Sequence, residues 1–373
     1  MPFFVDPETF IFAQDLGNIE SDGERLKSYK ALEALLGNGV QDIVQGRELQ
    51  PSDFISGTEV KEELIGQLIE HVIKLQMTAS ESGPVQTSLA EYSRILGEDF
   101  PAGALPEFIV PPYFYFRTLE DIWYRVNLLL AKKTQEMTEG LPVYIVLCLA
   151  KELLGDNQAL SQLAEDIGEY DGCLLWVSNF QERSEREVNL TRLAWLVRNL
   201  TSRGKPVINL YGGSFSAMLH IANLTGYSRG ICTSEYRDVD AQRGEGASPG
   251  RYYIPEAHTK VVEANARRLY SSTGVKLCNC PVCSQALSDI TPSSPLPAVV
   301  AQLFDNLKRQ GFRAHFMHVH KTEREQILSL KNSQQLKEWV SSHLEVLSRA
   351  GARPYVPLTH LEMWVKVLDQ VTI

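Results

Sequence analysis

Short, continuously apolar runs recur through the middle of the chain, at intervals of roughly 25 to 35 residues. The clearest runs cover residues 142–150, Gly172–Val177 and residues 206–211, and residues 229–233 form a weaker one. Strands that are buried on both faces have this pattern, because helices cover both sides of a parallel sheet. The runs therefore predict parallel strands.

Amphipathic periodicity fills the intervals and predicts helices over residues 160–167, 190–200 and 217–224. Upstream, the pattern predicts further elements: a strand over 107–116, helices over 59–77 and 119–130, and weaker strands over 3–5 and 42–44. Roughly seven strand candidates alternating with helices favour a (β/α)₈ TIM-type barrel. A doubly wound open sheet is the alternative, although the Gly-rich turn typical of its first strand is missing.

The pattern changes after residue 256. A Ser/Pro-rich connector covers residues 284–296, and helices are predicted over 258–270, 298–309, 323–330 and 336–348. We therefore expect a barrel core over residues 1–256, with a helical insertion around 56–100. Residues 257–373 form a helical C-terminal part that completes the barrel.

Composition narrows the class of protein. The 373 residues are 44% hydrophobic and 22% charged, with a net charge of −10, which argues against whole-chain disorder and against a generally basic nucleic-acid-coating protein. No apolar run approaches the roughly 20 residues that cross a bilayer, and the N-terminus lacks signal-peptide character. We expect a cytoplasmic protein without a membrane partner. Phosphate-loop, zinc-protease and Gly-x-Ser-x-Gly motifs are missing.

The cysteines carry the strongest chemical signal. Cys278, Cys280 and Cys283 fall within six positions, whereas the other three lie singly in apolar runs. In a reducing compartment such clustering indicates a metal site more than disulfides. Tetrahedral zinc needs a fourth ligand, and the candidates downstream are His315, His318 and His320. Four protein ligands would make the zinc structural; the alternative is three unligated thiols.

This Cys-x-Cys-x-x-Cys cluster, followed by a histidine that opens a helix, resembles the zinc site of the tRNA-guanine transglycosylases and of the related enzymes that insert 7-deazaguanines into DNA. In that superfamily, the zinc subdomain follows the late strands of a (β/α)₈ barrel. The resemblance favours His315 as the fourth ligand, because a helical tail similar to the family's follows it.

A second stretch resembles the family more loosely. The family has a unit made of a strand, a Gly turn, a helix and a second strand. A similar order occurs here in Tyr211-Gly212-Gly213-Ser214, followed by a helix and then by residues 229–235. There the second strand ends in an Asp that attacks the ribose C1′ carbon. The equivalent position here is Glu235, which would be the nucleophile, and Gly212 and Gly213 would contact substrate. The alternative for Glu235 is a solvated carboxylate paired with Arg237.

Other candidates complete the hypothetical site. Asp238 or Asp6 would be the acid/base group, and Tyr113, Arg237 and Arg251 would bind substrate. Three of these residues also have a structural interpretation: a solvated loop charge for Asp238, an Asx turn for Asp6, and core packing for Tyr113. The family's Asp-Ser-Gly-Gly-Phe segment and its purine-admitting Gly-Gly pair have no counterpart in this chain.

The resemblance implies exchange of a guanine in tRNA or DNA for a 7-deazaguanine, through a carboxylate–ribose intermediate. Implied partners are nucleic acid, a guanine or 7-deazaguanine base, and a second copy or partner subunit. The phosphates would meet a local basic surface made of Arg237, Arg243, Arg251, Lys260, Arg267 and Arg268.

The missing motifs favour an alternative, a catalytically degenerate barrel that binds nucleic acid or protein in a modification or defence complex. A zinc-stabilised enzyme acting on a small molecule is the third hypothesis.

Overall fold

The structure is a computed structural model. It describes residues 3–14, 20–21, 24–25, 30, 47–97, 103–138, 140–230, 235–240, 250–291 and 293–371. The chain is a mixed α/β protein with two compact units. The first unit comprises Met1–Phe180, Leu196–Leu210 and Tyr236–Glu245, and the second comprises Gln181–Trp195, Tyr211–Glu235 and Gly246–Ile373.

The strands of the described residues form one larger sheet and three small hairpins. The hairpin strands are β1 (Glu20–Ser21) with β2 (Glu24–Arg25), β3 (Ile55–Ser56) with β4 (Glu59–Val60), and β9 (Arg251–Ile254) with β10 (Thr259–Val262). The larger sheet contains, in spatial order, β5 (Tyr144–Leu149), β6 (Gly172–Val177), β7 (Val207–Asn209) and β8 (Gly226–Tyr227).

The sheet confirms the parallel strands that the apolar runs predict. β5 pairs in parallel with β6 from Tyr144–Gly172 to Leu149–Val177, and β6 pairs in parallel with β7. Every residue of β6 is buried, as expected for a strand covered on both faces. Ile109 makes an isolated parallel bridge to Val143, just before β5, and Phe116 makes one to Leu149 at the end of β5, so the segment predicted as a strand over 107–116 runs beside β5. The described residues show this four-stranded sheet and no closed ring of eight strands.

The helices of the described residues are α1 (Glu62–Thr78), α2 (Gly83–Leu96), α3 (Ile122–Met137), α4 (Asn157–Asp166), α5 (Glu187–Thr201), α6 (Ser214–Met218), α7 (Glu263–Ser272), α8 (Pro281–Ala286), α9 (Leu296–Ser329), α10 (Ser333–Arg349) and α11 (Thr359–Gln370). Short 3₁₀ turns occur at Thr9–Ala13, Pro51–Asp53, Ala79–Glu81, Lys151–Gly155, Ile167–Glu169, Leu219–Ala222 and Pro255–Ala257. None of the described helices is both long and apolar enough to cross a bilayer.

Several local predictions differ from the structure, among them the weak strand predicted over residues 3–5, which is not a strand. The helix predicted over 258–270 begins only at Glu263, because the β-branched residues before it pair with β9 as strand β10. Residues 298–309 and 323–330 both fall within α9, which is interrupted at Lys308 (φ 48°). The first predicted helix therefore ends close to the observed break, whereas the second begins much earlier than predicted. Of the predicted strand 229–233, the described part is not a strand, and β8 lies just before it. The rest of that run, with Cys232, and the candidate strand 42–44 lie outside the described residues.

Candidate functional site

Four side chains of the second unit bring their ligating atoms within 4.8 Å of one another: Cys278, Cys280, Cys283 and His315. Nδ1 of His315 lies 3.4 Å from Sγ of Cys280 and 3.3 Å from Sγ of Cys283. In a tetrahedral zinc site, with bonds of about 2.3 Å to sulfur and 2.0 Å to nitrogen, ligand atoms lie about 3.5 Å apart. The cluster therefore has the donor set and the size to hold a metal ion.

The local sequence explains why the three thiols point inward. Cys280 is the N-cap of the short helix α8, and its Sγ accepts the backbone N–H of Cys283 at 3.5 Å. Pro281 occupies the first helical turn, where its missing N–H removes no helical hydrogen bond. Sγ of Cys278 accepts the N–H of Cys280, also at 3.5 Å. This tight turn brings three sulfurs together within six residues.

His315 is held in the orientation that a metal ligand needs. Its Nε2 lies 2.9 Å from the carbonyl oxygen of Tyr253, so an Nε2–H donor leaves Nδ1 facing the sulfurs. The ring of Tyr252 stacks on the imidazole, with centroids 4.1 Å apart and an interplanar angle of 8°. His320 is engaged elsewhere, 2.9 Å from the hydroxyl of Tyr227. The structure thus brings His315 to the cysteines, whereas His318 and His320 lie outside the cluster.

The three thiols of the cluster differ in pKa. Hydrogen bonds from Cys278 and Cys283 lower the pKa of Cys280, while the hydrogen bond to Cys280 raises the pKa of Cys278 to about 12. Hydrogen bonds with Cys278 and Cys280 also raise the pKa of Cys283. The protein alone therefore favours one thiolate in this cluster, and a divalent cation would stabilise three.

A separate feature of the first unit is a polar cavity of about 520 Å³, the strand-edge pocket. It lies where β5 and β6 end, which is the side of a parallel sheet where α/β proteins bind ligands. The lining residues are Tyr115, Arg117, Thr118, Ala150, Lys151, Glu152, Ser178, Asn179, Asp238 and Asp240. Of the predicted catalytic residues, Asp238 lines this pocket.

Hydrogen bonds hold Asp238 in place. Its Oδ1 accepts the hydroxyl of Ser178 at 3.3 Å and the backbone N–H of Asp240 at 3.1 Å. The same hydroxyl accepts the N–H of Val239 at 2.9 Å, and Ser178 is buried. Next to Ser178, Asn179 has a φ of 53°, in the left-handed region that Asn adopts more readily than most residues. The pocket thus contains one carboxylate fixed by its surroundings.

The other charges in the pocket are less constrained. Asp240 lies 3.7 Å from Arg117, and both side chains are mostly exposed, so this pair is weak. Nζ of Lys151 donates to the carbonyl oxygen of Asn179 at 3.3 Å. Burial and the nearby Asp240 raise the pKa of Tyr115 to about 12, so its hydroxyl stays protonated and can donate a hydrogen bond at neutral pH.

Glu235 belongs to the second unit and is only 4% exposed. Nη2 of Arg229 lies 2.7 Å from one carboxylate oxygen, and Nε of Arg183 lies 3.0 Å from the other. Burial by itself raises the pKa of Glu235, but the two arginines outweigh it and the net pKa is lowered. Its ion-pair partners are therefore Arg229 and Arg183, while Arg237 pairs with Glu8.

Of the remaining predicted site residues of the first unit, Tyr113 is buried, whereas Asp6 and Arg237 are half-buried. The hydroxyl of Tyr113 donates to Asp6 at 2.7 Å, and Tyr113 is buried. Burial raises the pKa of Asp6. The guanidinium of Arg237 lies over the rings of Phe10 and Trp176, at 5.0 and 5.4 Å. These contacts fit the core-packing alternative for Tyr113.

The glycine turn contacts a buried carboxylate. Gly213 donates its N–H to Glu182 at 2.9 Å, and a Cβ on Gly213 would lie 2.8 Å from the same oxygen. Gly212 is buried like Gly213. In the described structure, the space beside Gly213 is therefore occupied by the side chain of Glu182.

Arg251, the last predicted substrate residue, begins β9, and its Nε has no hydrogen-bond partner among the described residues.

Sequence reasoning missed the charged network around Glu323. This carboxylate accepts the hydroxyl of Tyr253 at 2.5 Å and lies 2.5 Å from Nδ1 of His258. Its pKa is well below the usual range, because His258 and Arg229 outweigh the effect of burial. No local motif marks these residues, since they come from three separate segments.

Searches for relatives give no independent assignment. No protein-family model matches the chain, and no curated protein matches it.

Proposed function

We propose that this chain is a transglycosylase-like protein that exchanges a guanine in tRNA or DNA for a 7-deazaguanine. The observation that carries the proposal is the Cys₃His cluster, which has the Cys-x-Cys-x-x-Cys spacing and the donor set of the superfamily's zinc site and follows the parallel β/α region. Zinc is the metal we propose, because three thiolates and one imidazole are its typical structural ligands. Bound there, zinc would stabilise the fold. The proposal also includes completion of a (β/α)₈ barrel.

We assign the reaction to the strand-edge pocket, with Asp238 as the nucleophile. A carboxylate oxygen of Asp238 would form a bond to the ribose C1′, and the C1′–N bond to guanine would break. The departing guanine leaves with the electron pair of the C1′–N bond and takes a proton from solvent water. The incoming base then loses a proton to water, bonds to C1′ and releases Asp238 as the carboxylate. Glu235, whose oxygens face two arginines, stabilises the second unit in this scheme.

Incorporation of radiolabelled guanine into bulk tRNA or duplex DNA tests this assignment. We expect label to enter with the wild type, and Asp238→Asn to lower the rate on the order of a thousandfold or more. Glu235→Gln should retain activity per folded molecule. Asp289→Asn, an exposed acid, is the control. A zinc-loaded, folded wild type that incorporates no label would overturn the proposal for these substrates, and loss with Glu235→Gln but not Asp238→Asn would return the nucleophile to Glu235.

A second candidate function is a non-catalytic subunit that binds nucleic acid or protein. One observation favours it: the counterpart of the superfamily's nucleophile, Glu235, is buried with both oxygens close to arginines. This function predicts tight nucleic-acid binding without any incorporation of label, so the same assay, run beside a binding measurement, separates the two.

A further inference from the structure

Each of the three sulfurs in the Cys₃His cluster has a hydrogen-bond donor in the described structure. Sγ of Cys278 accepts the backbone N–H of Cys280, and Sγ of Cys280 accepts that of Cys283, both at 3.5 Å. The donor beside Cys283 is a side chain, since the hydroxyl of Tyr252 lies 3.4 Å from its Sγ. A cysteine that binds a metal ion is a thiolate with no proton to donate, so the hydroxyl must then be the donor.

Tyr252 also contacts the fourth ligand of the cluster. Its ring stacks on the imidazole of His315, with centroids 4.1 Å apart and an interplanar angle of 8°. The next residue of β9, Tyr253, accepts Nε2 of His315 with its carbonyl oxygen at 2.9 Å. Because β9 holds the imidazole both on its face and at Nε2, the other nitrogen is directed at the sulfurs.

The side chain of Tyr252 is itself held in one position. It is fully buried, and its ring packs against Phe304, with centroids 4.9 Å apart. The rings of Phe312 and Tyr270 contact it edge-on, at 5.8 and 6.0 Å. Its backbone pairs with Val261 of β10. The hydroxyl is therefore placed by packing, and little conformational entropy is lost when a metal ion binds next to it.

We infer that Tyr252 is a positioning residue of the metal site, which donates a hydrogen bond to the thiolate of Cys283 and orients His315 with its ring. A hydrogen bond to an ionised acceptor is stronger than one between neutral groups, and it stabilises the charged form that binds the metal. The inference rests on the part of the proposed function that places zinc in the cluster, and it does not depend on base exchange.

Zinc affinity of the full chain, measured by competition with a chelator of known affinity, tests the inference. Tyr252→Phe removes the hydroxyl and retains the ring that stacks on His315. We expect it to bind zinc about 10- to 100-fold more weakly than the wild type, as is typical when a group that contacts a metal ligand is removed. The control is Tyr170→Phe, which removes a hydroxyl that donates to the carbonyl oxygen of Leu128 at 3.0 Å in the first unit. It should bind zinc like the wild type.

The cobalt-substituted protein separates the hydrogen bond from packing. Co²⁺ bound to thiolates absorbs light by charge transfer from sulfur to the metal, and a hydrogen bond to sulfur raises the energy of that transition. The band of Tyr252→Phe should therefore lie at longer wavelength than that of the wild type. Phe304→Leu loosens the packing behind Tyr252 and retains the hydroxyl, so it should lower the melting temperature and leave the band in place.

Equal zinc affinity and an unmoved band in Tyr252→Phe would overturn the inference while leaving zinc in the cluster. A band shift of the same size in Phe304→Leu would also overturn it, because packing would then explain the effect. A folded wild type that binds neither zinc nor cobalt would refute the zinc proposal together with the role of Tyr252. Weaker zinc binding by Tyr252→Phe in a chain that never incorporates guanine would support the role of Tyr252 while refuting base exchange.

Discussion

At the scale of single residues, the second unit is organised around buried charges in compensating pairs. Arg229 lies 2.7 Å from Glu235 and 3.8 Å from Glu323, and its side chain is 2% exposed. A buried charge without a partner is strongly destabilising, so each member of the network depends on the others. The same residues that resemble catalytic groups in the sequence therefore have a structural role in the fold.

This arrangement predicts the effect of Glu235→Gln. Removing the charge leaves Arg229 and Arg183 without their partner and should lower the free energy of unfolding by about 3–5 kcal/mol at pH 7. Because the folded-state pKa of Glu235 lies below the ordinary value of 4.5, its contribution is present above that pH and is lost as pH falls through the folded pKa. The difference between the two proteins should therefore shrink below about pH 4.5 in urea unfolding.

The control is Glu165→Gln, which removes an exposed carboxylate 3.8 Å from Arg203. Its effect should stay within about 1 kcal/mol, since exposed pairs are screened by water. Equal losses in the two variants, or a difference for Glu235→Gln that grows in acid, would contradict the ion-pair assignment.

Gly213 provides a second test at this scale. A methyl group would lie 2.8 Å from an oxygen of Glu182, which is held by the N–H groups of Gly213 and Ser216. We expect Gly213→Ala to lower the free energy of unfolding by about 1–3 kcal/mol. Gly66→Ala, within α1 and with open space around the new methyl, should raise it by about 0.5–1 kcal/mol. Thermal or urea unfolding gives both values, and a neutral Gly213→Ala would argue against the close contact.

At the scale of elements, α9 combines several roles that the sequence pattern separates. Its apolar periodicity is interrupted by histidines and by Gly311, so two shorter helices were predicted. The structure also has two helical parts, separated at Lys308, and the second extends over residues that the pattern left unassigned because burial of His315 and Phe316 stabilises it against weak local propensity. Glu323 could not be recognised from the sequence as a buried charge, because most of its partners come from other segments.

From the Cys₃His cluster we predict that one metal ion stabilises the α8–α9 region. Elemental analysis should find about one zinc per wild-type chain and little in Cys280→Ser. Chelation should lower the melting temperature of the wild type and leave Cys280→Ser nearly unchanged, because metal binding contributes directly to folding. Cys173→Ala, which changes a buried cysteine of β6 instead, should retain the zinc. Equal zinc in the two variants would rule out the cluster as the site.

At the scale of the whole molecule, the central sheet was the most predictable feature. The runs at 142–150 and Gly172–Val177 coincide with β5 and β6, because strands covered on both faces must be apolar throughout. The number of strands in the sheet was less predictable. Closure of a ring depends on pairing between segments far apart in sequence, and such pairing leaves little local signature.

Local sequence alone determined the parallel strands, the three clustered thiols and a histidine candidate set, because these depend on residues close together in the chain. Only the tertiary structure decided which histidine meets the cysteines, that Glu235 lies between two arginines, and that Asp238 lines a pocket. Burial and charge pairing are set by groups that come from separate segments, such as Arg183 with Glu235 and Ser178 with Asp238. Their free energies depend on distance and exposure, which no single stretch of sequence contains.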